Sequence, residues 1–293
     1  MTQRLIAMIA LLCFGWGGYH ILHIIAGEQH DLEPRRHLVQ PPENLADHFR
    51  AATVTSDDGT RLACWYAPPS NHRTIIFVHG YAADRLQLYP EATFLQQHGF
   101  GAMLCDSRAQ GESEGAFISY GAHEGSDLKA IADWLKAEPG GDQTQLLGLG
   151  FSMGTFALMH FAARDTRLER MVLEAAPTSL YQFTVDESGP LGMFTAPIRL
   201  IPIAAKGVNP LTLDSAALLA QAHPRPLLFV HGEDDTIVPL KRMLELFANS
   251  PEPKSHFILP QRGHGGFFRT ADDLYAKSIL DFFAAPAQQP KSR

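Results

Sequence analysis

Gly150-Phe151-Ser152-Met153-Gly154 stands between an apolar run, QLLGLGF (145–151), and a helix-like stretch, TFALMHFAAR. A serine between two glycines at such a junction can sit on a strand-to-helix turn. The turn lifts the hydroxyl out of the sheet edge, beside a helix N-terminus whose free N–H groups favour negative charge. The same residues also suit an ordinary glycine-rich turn with serine as N-cap, so other groups must decide. A serine hydroxyl is a weak nucleophile until a base takes its proton, and the base needs an orienting acid. Two later segments offer both. PLLFV (226–230) runs into His231-Gly232-Glu233-Asp234-Asp235-Thr236-Ile237-Val238-Pro239, and HFIL (256–259) runs into Gln261-Arg262-Gly263-His264-Gly265-Gly266. A carboxylate from the first loop and His264 from the second, both beyond apolar strands, would equip Ser152 for nucleophilic acyl transfer.

The elements that must position these residues follow from the apolar pattern. TIIFV (74–78), GAMLC (101–105), QLLGLGF, RMVLEA (170–175), PLLFV and HFIL are continuous apolar runs, as parallel strands covered on both faces require. Helix-like stretches separate them near 88–98, 123–137, 153–164, 240–249 and 271–284. AATVT (51–55) and RLACWYA (61–67) flank a Ser-Asp-Asp-Gly-Thr turn, an antiparallel hairpin. This alternation predicts an α/β fold: a mostly parallel, doubly wound sheet opened by an antiparallel hairpin. The proline-rich, apolar segment between Ala176 and Pro226 is long for a connection, and Pro190, Pro197, Pro202 and Pro210 argue against one continuous helix. It is expected to be a lid inserted at about 177–225, within a domain spanning 51–285 and followed by a tail, 286–293.

Composition narrows the rest. The chain has 293 residues, 45% of them hydrophobic, and a net charge of −7. No basic stripe is present, so a nucleic-acid partner has no electrostatic support. Leu5 to Ile25 contains no charged residue, and about 20 such residues can cross a bilayer as a helix. An uncleaved membrane anchor (1–25) is expected, with a cleaved signal or a buried helix as alternatives. The short N-terminal tail favours a non-cytoplasmic domain. Residues 26–50, polar and carrying Pro34, Pro41 and Pro42, read as a linker. Of the three cysteines, Cys64 and Cys105 lie in candidate strands. They are read as small buried hydrophobes, with a single bridge between them as the alternative. The chain has no Walker-type lysine, no dinucleotide fingerprint and no HExxH, and neither a cofactor nor a metal is expected.

Taken in order, the motifs resemble those of the α/β-hydrolase superfamily, in particular its membrane-anchored abhydrolase-domain and Bem46-like serine hydrolases, over roughly residues 50–285. His79-Gly80-Tyr81 resembles the family's HG-x turn. Asp106-Ser107-Arg108-Ala109-Gln110-Gly111-Glu112-Ser113 resembles its D-x-R-G-x-G-x-S loop, with Ala109 at a usual glycine. The resemblance implies Ser152 as nucleophile, His264 as base and Asp235, rather than Asp234, as acid, from its spacing to Val238-Pro239. It also implies an oxyanion hole made by the backbone N–H groups of Met153 and Tyr81. His79 and His231 read as structural supports of their loops. An acyl ester, lipid-like in view of the apolar segments, is the expected substrate. Amide, thioester or acyl-transfer chemistry on the same triad, or a non-catalytic membrane-tethered binding protein, are the alternatives.

Overall fold

The apolar runs pair side by side. In a computed structural model describing residues 18–19, 21–270 and 273–286, they form one eight-stranded sheet. Helical residues 21–31 (α1) lead to a two-residue strand β1 (Arg35–Arg36) and a single turn α2 (Leu45–His48). The sheet begins with β2 (Arg50–Thr55), β3 (Arg61–Ala67) and β4 (Arg73–Val78). It continues through α3 (Tyr89–Gln97), β5 (Gly101–Cys105), the short β6 (Gln110–Gly111), α4 (Glu124–Ala137) and β7 (Gln145–Phe151). Next come α5 (Met153–Ala162), β8 (Leu168–Glu174) and four short helices: α6 (Leu180–Glu187), α7 (Gly192–Arg199), α8 (Ile201–Ala205) and α9 (Ser215–Gln221). The chain closes with β9 (Leu227–Gly232), α10 (Leu240–Asn249), β10 (Lys254–Leu259) and α11 (Leu274–Ala284).

Strand order is β10-β9-β8-β7-β4-β5-β3-β2, parallel except where β3 meets β2 and β5. This is the expected hairpin-opened sheet. Continuous apolar runs suit it because both faces are buried. Ile76 and Val78 face the cluster with α4 and α5, and Ile75 and Phe77 face the cluster with α3 and α11. From β4 the chain moves to β5 on one side and later returns to β7 on the other. The crevice for ligands in such a sheet lies outside the strand ends where the order reverses. Ser152 follows β7 and Tyr81 follows β4, so both lie at that crevice.

Two expectations need correction. Residues 26–50 are not a free linker: α1 extends to residue 31, β1 pairs with β6 (Arg35 with Gln110), and Leu32, Val39 and Phe49 are buried. Burial of these apolar side chains holds the segment on the domain. Cys64 and Cys105 are not free thiols but a disulfide, because the β3–β5 register sets them directly opposite. The segment 177–225, expected as an inserted lid without one continuous helix, consists of α6 to α9, and Leu180, Leu200, Ile203 and Leu218 bury it against the α4–α5 face. Most of the expected anchor and tail lie outside the described residues. Among the described residues no helix is long and apolar enough to cross a membrane.

Candidate active site

Ser152 sits between β7 and α5 with φ 49° and ψ −117°, a region that side-chain-bearing residues seldom occupy. The flanking glycines allow it. A Cβ on Gly154 would lie 2.1 Å from the Val78 carbonyl oxygen, and one on Gly150 would lie 2.9 Å from that of Gly154. The Ser152 N–H donates to the Glu174 carbonyl at 2.8 Å, tying the elbow to β8. As the N-cap of α5, Ser152 leaves the Met153 amide as the first unpaired donor of that helix.

The loops after β9 and β10 lean on each other. Asp234 N–H donates to Arg262 O at 2.8 Å, and a Cβ on Gly232 would lie 2.3 Å from Gly263 O. This close approach brings Asp235 and His264 together. His264 Nδ1 lies 2.8 Å from Asp235 Oδ2, and Nε2 lies 3.0 Å from Ser152 Oγ. Asp235 Oδ1 accepts from the Ile237 and Val238 amides, each at 2.9 Å. Burial alone would raise this carboxyl. The hydrogen bond to His264, the Val238 amide and the neighbouring imidazoles outweigh it and hold Asp235 below its ordinary value. An ionised Asp235 can only accept, so Nδ1 carries the imidazole proton and the Nε2 lone pair faces Ser152 Oγ. Asp234 and Glu233 are exposed, as their reading as loop carboxylates implies.

Buried His79 accepts from Ser107 N–H at Nε2 (2.8 Å), and its Nδ1–H meets Gly80 O (2.8 Å). Burial pushes it towards the neutral form that this pairing needs. His231, also held neutral by burial, donates from Nε2 to Val238 O at 2.7 Å and braces the acid loop. The D-x-R loop is built on Asp106, which accepts from the Arg85 and Glu112 amides, both at 2.8 Å, and pairs with the Arg85 guanidinium. Ala109, at the usual glycine, takes φ 61°.

Ser152, His264, Tyr81 and Met153 all line one cavity of about 320 Å3. Among the described residues neither the Tyr81 nor the Met153 amide has an acceptor. Several of the cavity's other residues carry no motif. Gln87 Oε1 accepts from Gly80 N–H at 2.7 Å, fixing the turn that carries Tyr81, and Tyr120 stacks on Tyr81 at 5.7 Å. Glu28 and Asp31 come from α1, and Tyr81 Oη donates to Asp31 O at 2.9 Å. Arg35 Nη2 donates to the same phenol oxygen at 3.2 Å. One signal could have found this wall: Ile21, Ile25, Glu28 and Leu32 fall on one helical face up to Pro34.

Beneath the elbow lies a buried acidic pair. Tyr275 Oη donates to the Glu174 carboxyl, which burial, then repulsion from Glu91, push well above the carboxylate range. Burial, chiefly, raises Glu91 to about 7.

The model of the X-Pro dipeptidyl-peptidase (S15) family matches residues 49–193. The chain is 25% identical over 247 residues to the uncharacterized protein YfhR of Escherichia coli, covering 80% of this chain and 81% of that one. It is 24% identical to the lysophosphatidylserine lipase ABHD12 of Danio rerio, covering 75% and 64%. Among solved structures, a Pyrococcus furiosus esterase, Pf2001, superposes with a TM-score of 0.70 at 20% identity, covering 86% of this chain and 96% of that one.

Proposed function

Because the chain belongs to the α/β-hydrolase superfamily, we propose that it is a serine hydrolase that cleaves an acyl ester through an acyl-enzyme on Ser152. The observation that carries this reading is the unbroken relay from Ser152 Oγ to His264 (3.0 Å) to Asp235 (2.8 Å), the acid itself held by two amides. Ser152 Oγ attacks the acyl carbon while its proton passes to His264 Nε2. Asp235 stabilises the imidazolium that forms. The developing oxyanion takes the amides of Tyr81 and Met153, each such donor typically contributing about 2.7–4 kcal/mol to barrier lowering. The imidazolium then protonates the leaving alkoxide. Water, deprotonated by His264, attacks the acyl-enzyme, and the imidazolium returns that proton to Ser152 Oγ as the acid is released.

The aromatic and aliphatic cavity wall, Phe151, Phe156, Leu180 and Phe183, favours an apolar acyl group. The match to a peptidase family gives amide cleavage on the same triad a specific basis. Attachment to a membrane through residues 1–25, with the domain non-cytoplasmic, belongs to the same proposal. The Cys64–Cys105 disulfide supports it, since such bonds persist in oxidising compartments.

A fluorophosphonate probe tests the assignment, run beside Ser152→Ala, His264→Ala and matched panels of acyl esters and X-Pro amides. Labelling is expected in the parent and absent in Ser152→Ala, with ester turnover exceeding amide turnover. Labelling that persists in Ser152→Ala would refute the nucleophile. A folded parent that neither labels nor turns over either panel would point to a binding role.

A further inference from the structure

The cavity holding Ser152 and a second, smaller one share six lining residues: Glu28, Tyr120, Leu180, Phe183, Glu187 and Arg199. Residues common to two neighbouring cavities are the partition between them. Beyond that partition the smaller chamber, about 20 Å3, is lined by Leu32, Thr184, Leu200, Pro202 and Ile203. The set is apolar but for the Thr184 hydroxyl, which donates to Leu180 O at 2.9 Å. A space of that size holds about one water.

The polar core of the partition is tightly knit. Arg199 Nε donates to the Glu28 carboxylate, Nη1 to Ser188 Oγ at 2.7 Å and Nη2 to Glu187 Oε2 at 3.1 Å. Every guanidinium nitrogen is therefore engaged, and the side chains of Arg199 and Glu28 are only 18% and 19% exposed. An apolar chain pushing between them would leave the largely buried Glu28 carboxylate unpaired and strip Arg199 of its Glu28 partner, which costs more than burying a few methylenes returns. On the Ser152 side, Phe156, Leu180 and Phe183 line the same cavity as this pair.

We propose that the Glu28–Arg199 ion pair is the end wall of the acyl site and sets the longest acyl chain the enzyme accepts. Longer chains would require the small chamber lined by Leu32, Leu200, Pro202 and Ile203. The proposal rests on Ser152 being the acylated residue. It makes α1, a segment outside the motif-bearing domain, a determinant of substrate specificity.

The test uses the full chain and a series of straight-chain p-nitrophenyl esters that differ only in acyl length. In the parent, kcat/KM climbs with each methylene, then breaks downward where the chain meets the wall. Glu28→Ala and Arg199→Ala each open the partition from opposite sides. In both, the break moves to longer chains, and each further methylene raises kcat/KM by about fourfold, the value of one buried CH2. Glu28→Gln, with the same bulk but no carboxylate charge to strand, also moves the break to longer chains, by less than Glu28→Ala. Fluorophosphonate labelling identifies correctly folded variants, and either alanine variant suffices if the other does not fold. An unmoved break in a variant that labels overturns the proposal. So does a break that moves only when the alcohol is lengthened on a constant acetyl group. A parent with neither labelling nor turnover at any length refutes instead the serine hydrolase reading beneath it.

Discussion

Asp235→Asn separates the orienting role of this residue from its structural one. Its Oδ1 accepts from the Ile237 and Val238 amides at 2.9 Å each, so an asparagine must place its carbonyl oxygen there. The amide NH2 then faces His264 Nδ1, in the position where Oδ2 now lies 2.8 Å away. A donor at that point stabilises the tautomer with its proton on Nε2, and the lone pair that faced Ser152 Oγ is gone. Restoring the productive tautomer sets N–H against N–H and forfeits a hydrogen bond to a charged group, about 1.5–3 kcal/mol. In the transition state the imidazolium also loses a carboxylate at contact range, about 4 kcal/mol for a partly screened pair. The two overlap, and a barrier increase of about 5 kcal/mol is expected. That is a fall of about 10^4 in kcat, with KM little changed and the fold intact. Steady-state kinetics on a short ester, beside a thermal melt, measures both. A kcat within tenfold of the parent, or an equal loss in Asp234→Asn, would refute the reasoning.

The remaining predictions concern the frame around the triad. Glu91 titrates near 7 when folded against an ordinary 4.5, and its Oε2 has no hydrogen-bond partner among the described residues. The folded chain thus holds the extra proton between those values, and stability is lost as pH rises through that window. Glu91→Gln should melt higher than the parent at pH 8, by on the order of 1–3 kcal/mol, and close to it at pH 4.5. Reducing the Cys64–Cys105 disulfide, which closes a separation of 41 residues, should cost about 4 kcal/mol in urea unfolding. An unchanged midpoint would contradict this. Gly154→Ala puts a methyl 2.1 Å from the Val78 carbonyl and must displace the elbow. Displacement of reacting groups by about 1 Å can lower kcat about 100-fold, and the rate of fluorophosphonate labelling should fall with it.

What could be read from the chain, and what could not, divides along sequence distance. The elbow was legible because a serine at φ 49° with backbone packed on both sides demands glycine at 150 and 154. Asp235 and His264 were legible because each follows an apolar strand in a loop of characteristic spacing. The strands themselves showed because both sheet faces are buried: β7 has the expected bounds, and β8 starts two residues early. The disulfide was not decidable. Whether Cys64 meets Cys105 depends on the β3–β5 register, and a shift of one residue would turn the two to opposite faces. The cavity wall from α1 was missed for a related reason. Glu28, Asp31 and Arg35 look like ordinary polar residues until Arg199 and Tyr81 arrive from far along the chain. Tyr120 carries no motif, and only its stacking on Tyr81 gives it a place in the site.

The Glu28–Arg199 contact spans 171 residues, and His264 reaches Ser152 across 112. Such separations bear on time as well as shape. A ribosome adds residues from the N-terminus, and contacts between distant positions form only after the later partner has emerged. α1 is therefore synthesised early, but its Glu28 has no Arg199 to pair with until α7 exists. Ser152 in turn waits without a base until β10 has been added to the sheet. Both the end of the cavity and the relay that would arm it are completed only as the last elements join, so a nascent chain carries Ser152 long before that serine could react.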